Sequence, residues 1–128
     1  MYQSNPVVWF EIYVNDMQRA VSFYESTFGC ELKPMAAPGD DPLEMMCFPS
    51  DPDSKNMAAG ALVKMDGYPG GGGGTIVYFN SEDCSLPAGR VEAAGGKVIQ
   101  HKTSLGEHGY MALAQDTEGN VIGIHSMA

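Results

Sequence analysis

Two kinds of hydrophobic patterning alternate along the chain, and the alternation runs through twice. "PVVWFEIYV" at 6–14 is dense in β-branched and aromatic residues, which predicts a strand. "DMQRAVSFYESTFG" follows, with Met17, Ala20, Val21, Tyr24 and Phe28 at helical spacing. Asn15 or Asp16 supplies its N-cap and Gly29 its stop. Three short strand-like runs come next, "CELKPM", "LEMMCF" and "MAAGALVKM", separated by the turn-forming "AAPGDDP" and "PSDPDSKN". The first half therefore reads β-α-β-β-β. "DGYPGGGGG" at 66–74 has no helix or strand preference and predicts a flexible linker. A phosphate-binding loop would need a following Gly-Lys-Ser/Thr and a helix, and the sequence has neither.

Beyond the glycines the pattern restarts. "TIVYFN" reads as a strand and "CSLPAGRVEAAGG" as a shorter, weaker helix. "KVIQHK", "YMALAQD" and "NVIGIHSM" read as three further strands. Laying Trp9 on Thr75 gives an offset of 66 that also lays Gly29 on Gly95 and Leu32 on Val98 without a gap. "MAAGAL" then matches "NVIGIH", with Gly60 opposite Gly123. This is an internal repeat. The chain divides into modules at about 5–65 and 75–127, joined by the 66–74 linker.

Composition narrows the functions open to such a fold. With 128 residues the chain is one ordinary domain, and 44% hydrophobic against 18% charged residues is a globular balance. The net charge of −9 and the absence of any Lys/Arg run argue against nucleic acid as partner. No stretch approaches the roughly 20 apolar residues of a membrane span. The opening residues lack the basic and apolar regions of a signal peptide. Cys30, Cys47 and Cys84 are odd in number, widely spaced and without a Cys-x-x-Cys pair, which predicts free thiols in a reducing cytoplasm.

The motifs "VNDMQRAVSFYESTFG" and "DTEGNVIGIH", separated by "GGGGGTIVYFNSED", resemble the vicinal oxygen chelate superfamily. That superfamily includes glyoxalase I, bleomycin-resistance proteins and extradiol dioxygenases. The resemblance covers nearly the whole chain and is nearest in flavour to bacterial glyoxalase-like proteins. It implies an α+β fold in which two βαβββ modules form a curved mixed sheet around a cavity. In metal-using members, the first and last strands of each module supply the ligands of a divalent ion. Carried over by position, those ligands fall on Trp9, Gly60, Thr75 and Gly123. Tryptophan and glycine offer no metal-binding side chain and a lone threonine is a poor ligand, so no metal and no cofactor are expected. The two glycines either leave room in the cavity or permit a strand bend.

Strand alternation then nominates what replaces the ligands. If Trp9 faces the cavity, so do Glu11 and Tyr13; Gly123 brings His125, and Thr75 brings Val77 and Phe79. Glu11 and His125 are the candidate catalytic pair, serving as general base and partner. The alternative is a structural hydrogen bond between them. Trp9, Tyr13, Thr75, Phe79, Gly60 and Gly123 are the candidate ligand-binding residues. His101 lies in an alternating strand and His108 in the glycine-flanked "SLGEHGY", a loop placed to cover a cavity mouth. The nine methionines read as core filler, and their adaptability also suits a pocket for apolar ligands.

Three functions compete. The first is a metal-independent lyase, isomerase or epimerase acting on a small oxygenated substrate in the inter-module cavity. The second is a small-molecule sequestering protein of the bleomycin-resistance type, in which the acidic balance favours a cationic ligand. The third is an interaction module with a vestigial cavity. A small molecule is the expected partner, with no nucleic acid or membrane. A homodimer is expected because each module presents a sheet face that needs covering.

Overall fold

The computed structural model describes residues 2, 5–38, 42–51, 53 and 57–128; parts of both turn segments of the first module lie outside them. The chain forms two compact units, one of Trp9–Thr75 and the other of the N-terminal residues up to Val8 with Ile76–Ala128. Its architecture is α+β.

In the first unit β1 (Val7–Tyr13) leads to α1 (Met17–Phe28), β2 (Lys33–Met35), β3 (Leu43–Cys47) and β4 (Ala59–Met65). β1 pairs parallel with β4, which pairs antiparallel with β3, which pairs antiparallel with β2. Asp16 is the N-cap of α1: its carboxylate accepts the Arg19 N–H at 3.0 Å. Gly29, at φ 64°, closes the helix in the left-handed conformation that favours glycine. The apolar stripe of α1 packs Met17, Ala20, Val21 and Tyr24 onto Ile12, Met46 and Leu62. Phe28 continues the predicted stripe but is exposed, stacked on Tyr24 with ring centroids 6.2 Å apart.

The segment expected to be a loose linker is instead folded onto the end of β1. Tyr13 N–H donates to the Gly74 carbonyl at 2.7 Å, and Gly70 N–H donates to the Asn15 side chain at 3.1 Å. Asn15 therefore tethers the glycines while Asp16 caps the helix. The composition made flexibility the simplest expectation, but glycine also permits close backbone approach. A Cβ at Gly70 would lie 2.7 Å from the Tyr13 carbonyl oxygen.

The second unit repeats the order with β5 (Thr75–Asn80), α2 (Ser85–Ala88), β6 (Lys97–Ser104), β7 (Tyr110–Gln115) and β8 (Val121–Ser126). A 3-10 turn, Gly106–His108, precedes β7. β5 pairs parallel with β8, β8 antiparallel with β7, and β7 antiparallel with β6 across two register shifts. The helix is only four residues long, because Gly89 and the "AAGG" run give the following residues turns rather than a continued helix. Cys84 and Ala88 beside it pack on Ala112 and Ile124.

Gly70→Ala is expected to destabilise the protein by about 1–3 kcal/mol through the forced backbone shift. Gly72→Ala, which meets no atom within 4 Å, should stay within about 0.5 kcal/mol of the parent. Urea denaturation of the two variants makes the comparison, and equal stabilities would restore the loose linker.

Candidate active site

Each unit has a helix-bearing face and an opposite face, and strand parity assigns every residue to one of them. In the first unit Ile12 pairs with Leu62 beneath α1. The residues that alternate with them therefore lie on the opposite face: Trp9, Glu11 and Tyr13 from β1, and Ala59, Ala61 and Val63 from β4. From β3 and β2 come Met45, Cys47 and Met35. This face is an apolar wall in which Met45, Ala61 and Val63 are buried, with Trp9, Tyr13, Met35 and Cys47 packed on them.

Glu11 is the carboxylate set into this wall, and it is gripped from both sides along its own strand. Trp9 Nε1–H donates to Oε2 at 3.1 Å, and Tyr13 OH donates to Oε1 at 2.9 Å. Indole N–H can only donate, so the Trp9 bond is unambiguous in sense. Burial, and then the neighbouring Glu11 charge, push the Tyr13 phenol well above its ordinary value near 10. Tyr13 thus remains a proton donor to the carboxylate at any working pH. Two donors on separate oxygens fix the plane of the carboxylate, and charge-assisted bonds of this kind are the stronger class.

In the second unit the faces fall differently from expectation. Phe79 pairs with Ile124, which packs on the α2 side, while Tyr78 pairs with Gly123 and Asn80 with His125. Gly123 and His125 therefore share the face away from α2 with Tyr78, and Phe79 lies on the helix side. Thr75, of the same parity as Phe79, is exposed. The 66-residue offset that lays Trp9 on Thr75 is one residue short, since the strands end at Tyr13 and Asn80, 67 residues apart. A slip of one residue exchanges the two faces. Tyr78 is the residue this missed. Its signal was present: an aromatic whose cross-strand partner is glycine.

The glycines are likewise not openings. A Cβ on Gly123 would fall 2.2 Å from the Tyr78 ring, and one on Gly60 would fall 2.5 Å from the Phe10 ring. An aromatic side chain lies over each bare backbone and fills its space. Gly60 lies on the helix-bearing face with Phe10 and Leu62, not on the face of Glu11.

His125 is used within its own unit. Its Nε2 lies 2.6 Å from the His108 carbonyl oxygen, which can only accept, so Nε2 carries the proton and Nδ1 is left for other use. This bond ties the 105–109 loop to β8. Gly109 seats the same loop: at φ 94°, a Cβ there would lie 2.3 Å from the Ser126 carbonyl oxygen. The expected Glu11–His125 pairing joins residues of different units, and each has partners inside its own.

His101 lines a cleft of about 450 Å³ with Ser85, Glu92, Val98 and Lys102. Lys102 is already committed there, to Asp83 at 3.0 Å and to the face of Tyr110 at 4.6 Å. Hydrogen bonds from Ser85 and then Lys102 hold the Asp83 carboxyl down at about 2.

The positions at which the resemblance implies metal ligands do not fit a divalent ion. Trp9 directs its only polar atom at Glu11, Gly60 and Gly123 are covered by aromatic rings, and Thr75 is exposed. Among the described residues no three His, Cys, Asp or Glu side chains gather into a metal-binding group.

The sequence profile of the Glyoxalase/Bleomycin resistance protein/Dioxygenase superfamily matches residues 7–124. The chain belongs to this superfamily. A "Glyoxylase-like domain-containing protein" of Didymella fabae is 32% identical over 111 residues, covering 86% of this chain and 84% of that one. A variant of the Streptomyces coelicolor methylmalonyl-CoA epimerase, solved with 2-nitronate-propionyl-CoA, matches at TM-score 0.68 and 17% identity over 98% of this chain and 99% of its own. The methylmalonyl-CoA epimerase of Mycobacterium tuberculosis matches at TM-score 0.67 and 15% identity, covering 100% and 93%. At such identities the structural likeness shows the glyoxalase-like fold. No helix among the described residues is long and apolar enough to cross a membrane.

The Tyr13 geometry predicts an alkaline signature. A phenol whose folded pKa is raised holds its proton where the unfolded chain releases it, so its contribution is complete below about pH 10 and declines above it. Tyr13→Phe should lose about 1–3 kcal/mol at neutral pH with the hydrogen bond. It should also lose part of the parent's fall in stability above about pH 10. Denaturation midpoints measured from neutral to alkaline pH test both statements.

Proposed function

We propose that this glyoxalase-like chain is a metal-independent isomerase or lyase that moves a proton on a small oxygenated substrate, with Glu11 as the general base. The observation that carries the reading is the Glu11 carboxylate, set in an apolar wall and oriented by Trp9 Nε1–H and Tyr13 OH. A carboxylate so held takes a proton from a carbon next to a carbonyl without first reorganising its own surroundings. The apolar wall keeps competing water from the reacting carbon. Trp9 and Tyr13 bound the substrate beside Glu11.

The epimerase neighbours support this class of chemistry, since inverting a centre beside a carbonyl begins with removal of its proton. The proposal also takes the chain as a cytoplasmic homodimer, in keeping with its free cysteines. Sequestration without turnover is the second reading. It is favoured by the adaptable methionines, Met35 and Met45, on the face that carries Glu11.

The test is carbon–deuterium exchange in D₂O with a panel of small α-hydroxy and α-keto carbonyl compounds, followed by NMR after dialysis against a chelator. The chelated parent protein should catalyse exchange into at least one of them. Glu11→Gln should slow that exchange by about 10²–10⁴-fold, the usual worth of a positioned base. Binding of the same compounds without exchange would move the assignment to sequestration.

A further inference from the structure

We propose that Met35, Met45 and Cys47 form a binding site for a soft monovalent cation of the copper(I) class. The three sulfur side chains share the face opposite α1 in the first unit. Met35 sits directly across from Met45 in the β2–β3 register, and Cys47 follows Met45 by two residues on the same strand. Met35 and Met45 are thus a directly opposed pair on one pleated face, where such Cβ atoms lie about 4.5–5.5 Å apart, and Cys47 is the diagonal neighbour of Met35, a spacing that long side chains span. Two of them are already in contact: Cys47 Sγ lies 3.1 Å from Met35 Sδ. Met45 is buried beside them in the same apolar cluster.

Thiolate and thioether donors favour soft ions over hard oxygen-seeking ones, and a set with two thioethers to one thiolate suits copper(I). The ion takes the position of the thiol proton that Cys47 directs at Met35. The thiol gives up that proton to solvent, an S–Cu bond replaces S–H, and no electron changes hands. Thiolate and Cu⁺ together are neutral, which avoids leaving an unpaired charge in the wall. Methionine has the rotamer freedom to close the third side. Cys30 shares the cluster beneath α1 with Met17 and Met46, but its Sγ–H is directed at the Tyr24 carbonyl oxygen at 4.0 Å, and Cys84 is enclosed beside α2. The site does not depend on Glu11 acting as a base.

The test is anaerobic titration of the whole reduced protein with copper(I) against a chromophoric copper(I) chelator. One equivalent should bind, with a thiolate-to-copper absorption band. Cys47→Ser should weaken it by more than about 100-fold, beyond the roughly 10–100-fold that loss of an outer partner costs. The double variant Met35→Leu/Met45→Leu conserves volume, so it keeps the fold while removing two donors. It should weaken binding by at least about tenfold, and it serves as the readout if Cys47→Ser fails to fold. Cys30→Ser and Cys84→Ser should bind as the parent does. Absence of a bound equivalent, full binding by the methionine double variant, or loss of binding with Cys30→Ser would overturn the assignment.

Discussion

Everything placed on either face of this protein depends on strand parity pinned from the helix side. Ile12 against Leu62 beneath α1, and Phe79 against Ile124 on the α2 side, are the cross-strand pairs that fix it. Because side chains alternate, each pair decides the orientation of its whole strand. Ile12 going down sends Trp9, Glu11 and Tyr13 the other way as a set. That is how three chemically different residues come to stand in line with the carboxylate in the middle. Phe79 going down likewise sends Tyr78 to the side of Gly123 and His125.

The same constraint explains what could be read in advance. β1 pairs with β4 in an unbroken register, so spacing by two along 6–14 was enough to give Glu11 its company. Helix α1 was legible because Asp16 and Gly29 punctuate a periodic stripe, and the family because its two motifs survive intact. The second module was misread by a single residue. The offset that lays Trp9 on Thr75 aligns the glycines that follow the helices, but the strand ends, Tyr13 and Asn80, are 67 residues apart, and one residue exchanges faces. That slip put Phe79 and Thr75 with the site and left Tyr78 out. The glycines misled for a related reason. Composition shows an empty side chain, but only the fold shows which ring lies over it: Phe10 over Gly60, Tyr78 over Gly123. The glycine run at 66–74 was illegible as structure because its partners, Tyr13 and Asn15, are distant in sequence.

A carboxylate in an apolar wall is costly unless its oxygens are satisfied. Here the donors come from residues two positions away on the same strand, so β1 itself supplies the support for its own Glu11. Both donors are thus local in sequence. The arrangement also accounts for the chemistry at positions where the wider superfamily places a metal. Trp9 stands at one of those positions and turns its N–H on the carboxylate beside it. Under the proposed function, Trp9 positions the base at a place where the resemblance implies a metal ligand.

That substitution of roles is the centre of the account, and a double-mutant cycle in D₂O tests it most directly. Residues acting as one unit are non-additive: once the base is gone, its orienting partner has nothing left to orient. Trp9→Phe alone should slow substrate deuteration with little change in KM. Trp9→Phe combined with Glu11→Gln should then be no slower than Glu11→Gln alone. Fully additive losses in the double variant would contradict the account, showing that Trp9 and Glu11 act independently.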